Sequence, residues 1–143
     1  MRRNPVQIVS GLSSPAGIAV DYNSRKLFWA DYGTYKIQSS DLDGRNVQTV
    51  ARVSKPYGIA VYETRLYFGT FSSPSVLKSC DLTGRNMKMF YRNPKKMRHI
   101  TVATSHSPPA TRTNHCGGWT CPEKGMCVLT EHSFRCLSKD LVD

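Results

Sequence analysis

Residues 26–46 read KLFWADYGTYKIQSSDLDGRN, and residues 65–86 read RLYFGTFSSPSVLKSCDLTGRN. One apolar, aromatic run followed by one turn phrase has been written twice. The likeness extends outward from these stretches. Pro15, Gly17, Ile18, Ala19 and Val20 recur as Pro56, Gly58, Ile59, Ala60 and Val61, 41 residues later. Leu27-Phe28-Trp29 recurs as Leu66-Tyr67-Phe68, and Ile100-Thr101-Val102 begins a third copy after Ile59. Val6-Gln7 matches Val47-Gln48 on the other side. Two complete repeats of roughly 40 residues, with a partial one on each flank, mark a repeat architecture.

Each repeat reads as four short strands split by turn residues. GIAVDY is a strand, NSRK a turn, KLFWADY a strand and Gly33-Thr34 a break. KIQSSDL follows, Asp43-Gly44 makes a tight turn because glycine accepts positive φ, and NVQTVA completes the unit. No window sustains the i, i+3, i+4 apolar spacing of a helix. Four strands per roughly 40 residues is the pattern of a β-propeller blade.

The pattern fades after Tyr91. YRNPKKMRH is basic, ITVA is the last strand candidate, and TSHSPPATRTNH has the composition of a linker. Cys116, Cys121, Cys127 and Cys136 then crowd the last quarter of the chain, while Cys80 stands alone in the second repeat where the first has Ser40. Four cysteines in so short a stretch suggest disulfides made in an oxidising compartment. Zinc, with His115 and His132 nearby, is the competing reading, but CxxC-like pairs are lacking. Spacing alone does not choose among the three possible pairings.

Lys and Arg outnumber Asp and Glu 20 to 10, a formal charge of +10. Residues 1–109 carry all of this excess, with 16 basic and 6 acidic residues; the rest is neutral. Such a surface favours an anionic partner: nucleic acid, sulfated glycan, acidic membrane or acidic protein. Arg92, Lys95, Lys96, Arg98 and His99 are the candidate surface for an acidic partner, with His99 adding charge on protonation. No GxSxG, HExxH or phosphate-binding glycine loop is present, so neither an enzyme nor a cofactor or metal is expected. DLDGRN lacks the alternating acids of a calcium loop and reads as a turn. The N-terminus has no apolar core of a signal peptide, and no apolar run is long enough to cross a bilayer.

PAGIAVDY…RKLFWADYGTYKIQSSDLDGRN resembles the YWTD (class B) repeats of the low-density lipoprotein receptor family. The signature tetrapeptide falls on Phe28-Trp29-Ala30-Asp31, and a degenerate copy on Tyr67-Phe68-Gly69-Thr70. Residues from Asn114 to Cys136 look like the EGF-like module that follows such propellers. The resemblance implies an all-β chain with a partial propeller of two to three four-stranded blades over 1–105. A linker at 106–115 and a truncated, disulfide-bonded EGF-like module at 116–143 would follow. By the same analogy Cys116 pairs with Cys127 and Cys121 with Cys136, and Asp31 ties blades together through hydrogen bonds. Six such blades need roughly 240 residues, so the chain reads as the C-terminal part of a propeller with open flanks. The implied role is an extracellular module of an endocytic receptor, at the plasma membrane and in endosomes. It would bind protein ligands, acidic receptor modules or sulfated glycans, with pH-dependent ligand release. A basic nucleic-acid-binding protein with a zinc-binding tail, and a nidogen-like matrix protein, are the alternatives.

Overall fold

The computed structural model describes residues 4–102 and the backbone of 126–130 and 134–137. The described chain is all β. One four-stranded antiparallel sheet runs β1 (Pro15–Asp21), β2 (Lys26–Asp31), β3 (Lys36–Asp41), β4 (Gln48–Arg52). A second repeats it as β5 (Pro56–Tyr62), β6 (Arg65–Thr70), β7 (Ser75–Asp81), β8 (Lys88–Asn93). The register is also repeated. Ile18 faces Trp29 and Ile59 faces Phe68; irregularities fall at Ile37/Gln38 and again at Leu77/Lys78. Bulges sharpen local twist, so their recurrence gives both sheets the same shape.

The sheets stack through their first strands, β1 on β5 and β5 on β9 (Met97–Val102). The core lies between them. Phe28 and Ile37 of the first sheet pack with Ile59, Leu66, Phe68 and Cys80 of the second; Tyr67 and Leu77 repeat the arrangement against Met97 and Ile100. A single sheet exposes one of its faces, so the repetition is a packing requirement: each blade supplies half of the next core.

The DLxGRN phrase also serves this stacking. In both copies the Asp N–H donates to the Arg carbonyl and the Gly N–H donates to the Asp carbonyl. Gly44 and Gly84 have φ of +86° and +87°. A Cβ on Gly84 would lie 1.9 Å from the Val50 carbonyl oxygen, and one on Gly44 would lie 1.9 Å from that of Ile8. The turn of each blade therefore sits against the outer strand, or its counterpart, of the blade before.

Ile18 shows where the stack is open. Its counterpart Ile59 is 4% exposed, whereas Ile18 is 67% exposed. Beside it an apolar groove of about 370 Å³ is lined by Ile8, Leu12, Pro15, Leu27 and Trp29 among others. The buried Trp29 indole N–H finds no acceptor.

After β9, strands β10 (Met126–Thr130) and β11 (Phe134–Leu137) form a hairpin that extends β9 into a three-stranded sheet. Ile100 faces Val128, the register at which Ile18 and Ile59 meet second strands in the blades, and Cys127 faces Cys136. The expected linker at 106–115 and the side chains of the four clustered cysteines lie outside the described residues. Among the described residues no helix is long and apolar enough to cross a membrane.

Candidate functional site

The YWTD-like residues are scaffold. Phe28, Trp29, Ala30, Tyr67, Phe68 and Gly69 are all buried within β2 and β6. Asp31 accepts backbone N–H groups from Ser13 (3.0 Å) and Ser14 (2.8 Å) in the segment entering its blade, and from Gly33 (3.1 Å) across its own turn. Burial pushes the Asp31 carboxyl up, but the N–H groups of Ser13 and Ser14 and the contacts from Thr34 hold it below the usual range. Thr70 cannot do this with one hydroxyl. It accepts from the Val76 N–H at 2.9 Å, and Ser75 accepts from the Met97 N–H at 2.8 Å in the different segment that enters β9.

Ser75 also anchors the candidate basic surface. The Ser75 hydroxyl also lies 2.7 Å from the Lys95 carbonyl, Ser73 donates to the Pro94 carbonyl, and Asn93 accepts from the Lys95 N–H. The loop from β8 to β9 is thereby tied to the second blade, and it presents Lys95 and Lys96 to solvent. Arg98 and His99 follow on β9 and Arg92 precedes on β8, all exposed.

The structure adds aromatic residues at this place. Tyr57 and Phe71 stack at 4.7 Å between centroids, and Tyr32 meets both edge-on at 6.3 and 6.2 Å. Lys96 lies 4.9 Å and Arg98 6.0 Å from the Phe71 ring centre, within cation–π range. The strand pattern of the sequence does not single out Tyr32, Tyr57 or Phe71. Their signal is that Tyr32 and Phe71 each follow the fourth motif position, 39 residues apart. All three rings are half-buried, so they offer faces and edges to solvent.

Exposed acids are confined to one of the two ends of the sheets among the described residues. Strand order places Tyr32, Lys36, Arg52, Lys55, Tyr57, Phe71, Arg92, Lys95, Lys96 and Arg98 toward one end. Asp21, Asp41, Asp43, Glu63 and Asp81 stand at the other, within or beside the β1–β2, β3–β4, β5–β6 and β7–β8 turns. There Lys26 pairs with Asp41 at 2.8 Å and Arg45 with Asp43 at 3.4 Å. The Thr83 hydroxyl, with backbone donors, pulls Asp81 down to about 2. Among the described residues Asp31 is the single acid at the Tyr32 end, and it is buried and engaged. No group of three or more potential metal ligands occurs among the described residues.

The comparisons agree with the repeats. Over 128 residues, 89% of the chain, it is 33% identical to low-density lipoprotein receptor-related protein 4 of Rattus norvegicus. The chain belongs to the low-density lipoprotein receptor-related family. Vitellogenin receptor Yl of Drosophila melanogaster is 26% identical over 143 residues, covering 94% of the chain. The chain spans 7% of the length of each of these relatives, both of which are receptors. No family model matches. A chain in the crystal structure of a nidogen/laminin complex has the same fold, with a TM-score of 0.72 at 20% identity over 94% of this chain and 48% of that one. The two four-stranded sheets are thus propeller blades of the YWTD type.

Proposed function

We propose that the chain is an extracellular, non-enzymatic protein-interaction module of an endocytic receptor. Its Tyr32 end takes acidic segments of protein ligands and of the receptor's own acidic modules. The observation that carries this reading is the half-buried Tyr32–Tyr57–Phe71 cluster flanked by Lys96 and Arg98, at an end with no exposed acid among the described residues. Aromatic rings supply apolar area with little entropy to lose, and flanking cations select a carboxylate-bearing guest. Membership of a receptor family supplies the extracellular setting.

His99, next to Arg98, gives the surface a response to acid. Imidazole is the side chain that can take up a proton between neutral and endosomal pH, and a proton on His99 would add positive charge to this surface. Acidic modules then bind more tightly and compete with cargo for release. Titration calorimetry with an acidic ligand-binding module at pH 5.5 and pH 7.4 tests this. Tighter binding at pH 5.5 is expected; equal affinity contradicts the pH response, and no binding at either pH contradicts the site.

A further inference from the structure

We infer that the outer part of the Tyr32 end is a second binding surface, for a sulfated glycan chain. It borders the aromatic cluster, where the Phe71 N–H donates to the Lys55 carbonyl at 2.8 Å, and does not require the protein-ligand reading to hold. Two loops build it. One leaves the outer strand of the first blade after Arg52 and enters the inner strand of the second at Pro56, passing Lys55. The next leaves β8 after Asn93 and enters β9 at Met97, passing Lys95 and Lys96. Arg52 and Arg92 are repeat equivalents 40 residues apart, as are Lys55 and Lys95. Each loop crosses the end of the stack from rim to axis, and the stack repeats this basic spoke one blade further on. Lys36, directly opposite Arg52 in the β3–β4 register, adds a like charge to the first spoke.

Like charges directly opposite on neighbouring strands are unfavourable unless something relieves them. No carboxylate at this end does so among the described residues, because the exposed acids are at the other end. A bound polyanion would relieve them, and a regularly repeated cation spacing suits a polymer with regularly repeated anions. Sulfate is also the anion best matched here. The arginine fork takes it in bidentate fashion, and it keeps its charge at endosomal pH. Arg52, Arg92 and Lys95 are exposed, and they stand apart from Lys96 and Arg98, the cations that lie over the Phe71 ring. Cations repeated at a regular spacing favour a sulfated polymer here, whereas stacked rings favour an acidic protein segment at the cluster.

The test uses a heparin-derived decasaccharide and the full chain, with affinity followed as salt is raised. Binding that weakens steeply with salt is expected. The pair Arg52→Ala with Lys55→Ala, and the pair Arg92→Ala with Lys95→Ala, should each weaken it about tenfold, the size of roughly one lost charged contact. The pair Arg25→Ala with Arg85→Ala removes the same formal charge from the opposite end and should leave affinity within about twofold. Equal weakening by that control pair would show a response to net charge alone and overturn the site. Equal binding of a desulfated decasaccharide, or tighter binding of polyglutamate or single-stranded DNA of matched charge, would also overturn it. These variants keep Lys96 and the aromatic cluster. Of the two pairs, Arg52→Ala with Lys55→Ala removes no residue of the acidic-partner surface, so an acidic-module titration on that pair tests the protein-ligand reading separately.

Discussion

Gly84 tests whether the repeated turn phrase joins blades or only reverses the chain. Substitution by alanine has two separable costs. The first is conformational: at φ +87° a residue with a Cβ is strained by about 1–2 kcal/mol. The second is steric: the new Cβ would stand 1.9 Å from the Val50 carbonyl oxygen, so the turn or the outer strand of the first blade must move. Overpacking of this kind costs about 1–3 kcal/mol, and the sum is about 2–5 kcal/mol. Gly84→Asn separates the parts, because asparagine tolerates the left-handed region yet carries a Cβ. It should retain the steric cost. Gly11→Ala provides the complement, since φ is +73° but nothing lies within 4 Å of the added carbon. Urea unfolding of the three variants, followed by tryptophan fluorescence, gives the ordering. The expected order of loss is Gly84→Ala, then Gly84→Asn, then Gly11→Ala at about 1–2 kcal/mol. If Gly84→Asn is as stable as the parent, the turn does not press on the neighbouring blade and the inter-blade role is wrong.

Three further outcomes are expected. Asp31→Asn removes a charged acceptor from at least three backbone N–H groups and should cost about 1–3 kcal/mol at pH 7. Because the folded pKa lies below the unfolded value, the Asp31 contribution is full above about pH 4 and disappears as pH falls through the folded pKa. The variant should accordingly show a shallower acid limb in a stability–pH profile, and an unchanged limb would refute the assignment. Ile59→Ala should cost about 2–4 kcal/mol while its repeat equivalent Ile18→Ala costs less than about 0.5 kcal/mol; equal losses in thermal unfolding would place both residues in the same environment. Burial, with Asp81 nearby, pushes the Cys80 thiol up to about 11, leaving on the order of one thiolate in a thousand at pH 8. Peptide mapping after brief iodoacetamide treatment should find Cys80 unmodified in the folded chain and modified in urea, and rapid native labelling would contradict its burial.

Much of the fold could be read from repetition. The 40-residue period, the aromatic runs and the DLxGRN turns point to four strands per unit, and the two blades appear where those signals stand. The role of the glycine in DLxGRN is only half visible. Turn chemistry explains its positive φ, but its contact is with Val50 or Ile8, more than 30 residues away in sequence. Sequence proximity carries no trace of such a contact. The candidate surface was likewise half legible. Lys96 and Arg98 stand out as charges, whereas their ring partner Phe71 is about 25 residues distant and looked like an ordinary strand-end residue. The loss of Asp at position 70 reads in the sequence as simple drift. The structure shows Thr70 turned to its own blade, accepting from the Val76 N–H, while Ser75 ties down a different loop, the one that carries Lys95. The pairing of β10 with β9 is the least legible feature, because nothing in a cysteine-rich stretch signals the edge strand that it joins.

On the proposed function, the aromatic cluster and its flanking cations recognise acidic protein segments. The most direct measurement is the affinity of an acidic ligand-binding module at pH 5.5 for the parent chain and for the Lys96→Glu, Arg98→Glu double variant. Both substitutions are at exposed positions, and circular dichroism should confirm an unchanged fold. Reversing two charges beside the Phe71 ring should weaken binding by at least about a hundredfold, roughly 1.4 kcal/mol for each position. Affinity within about twofold of the parent would show that the acidic partner binds elsewhere.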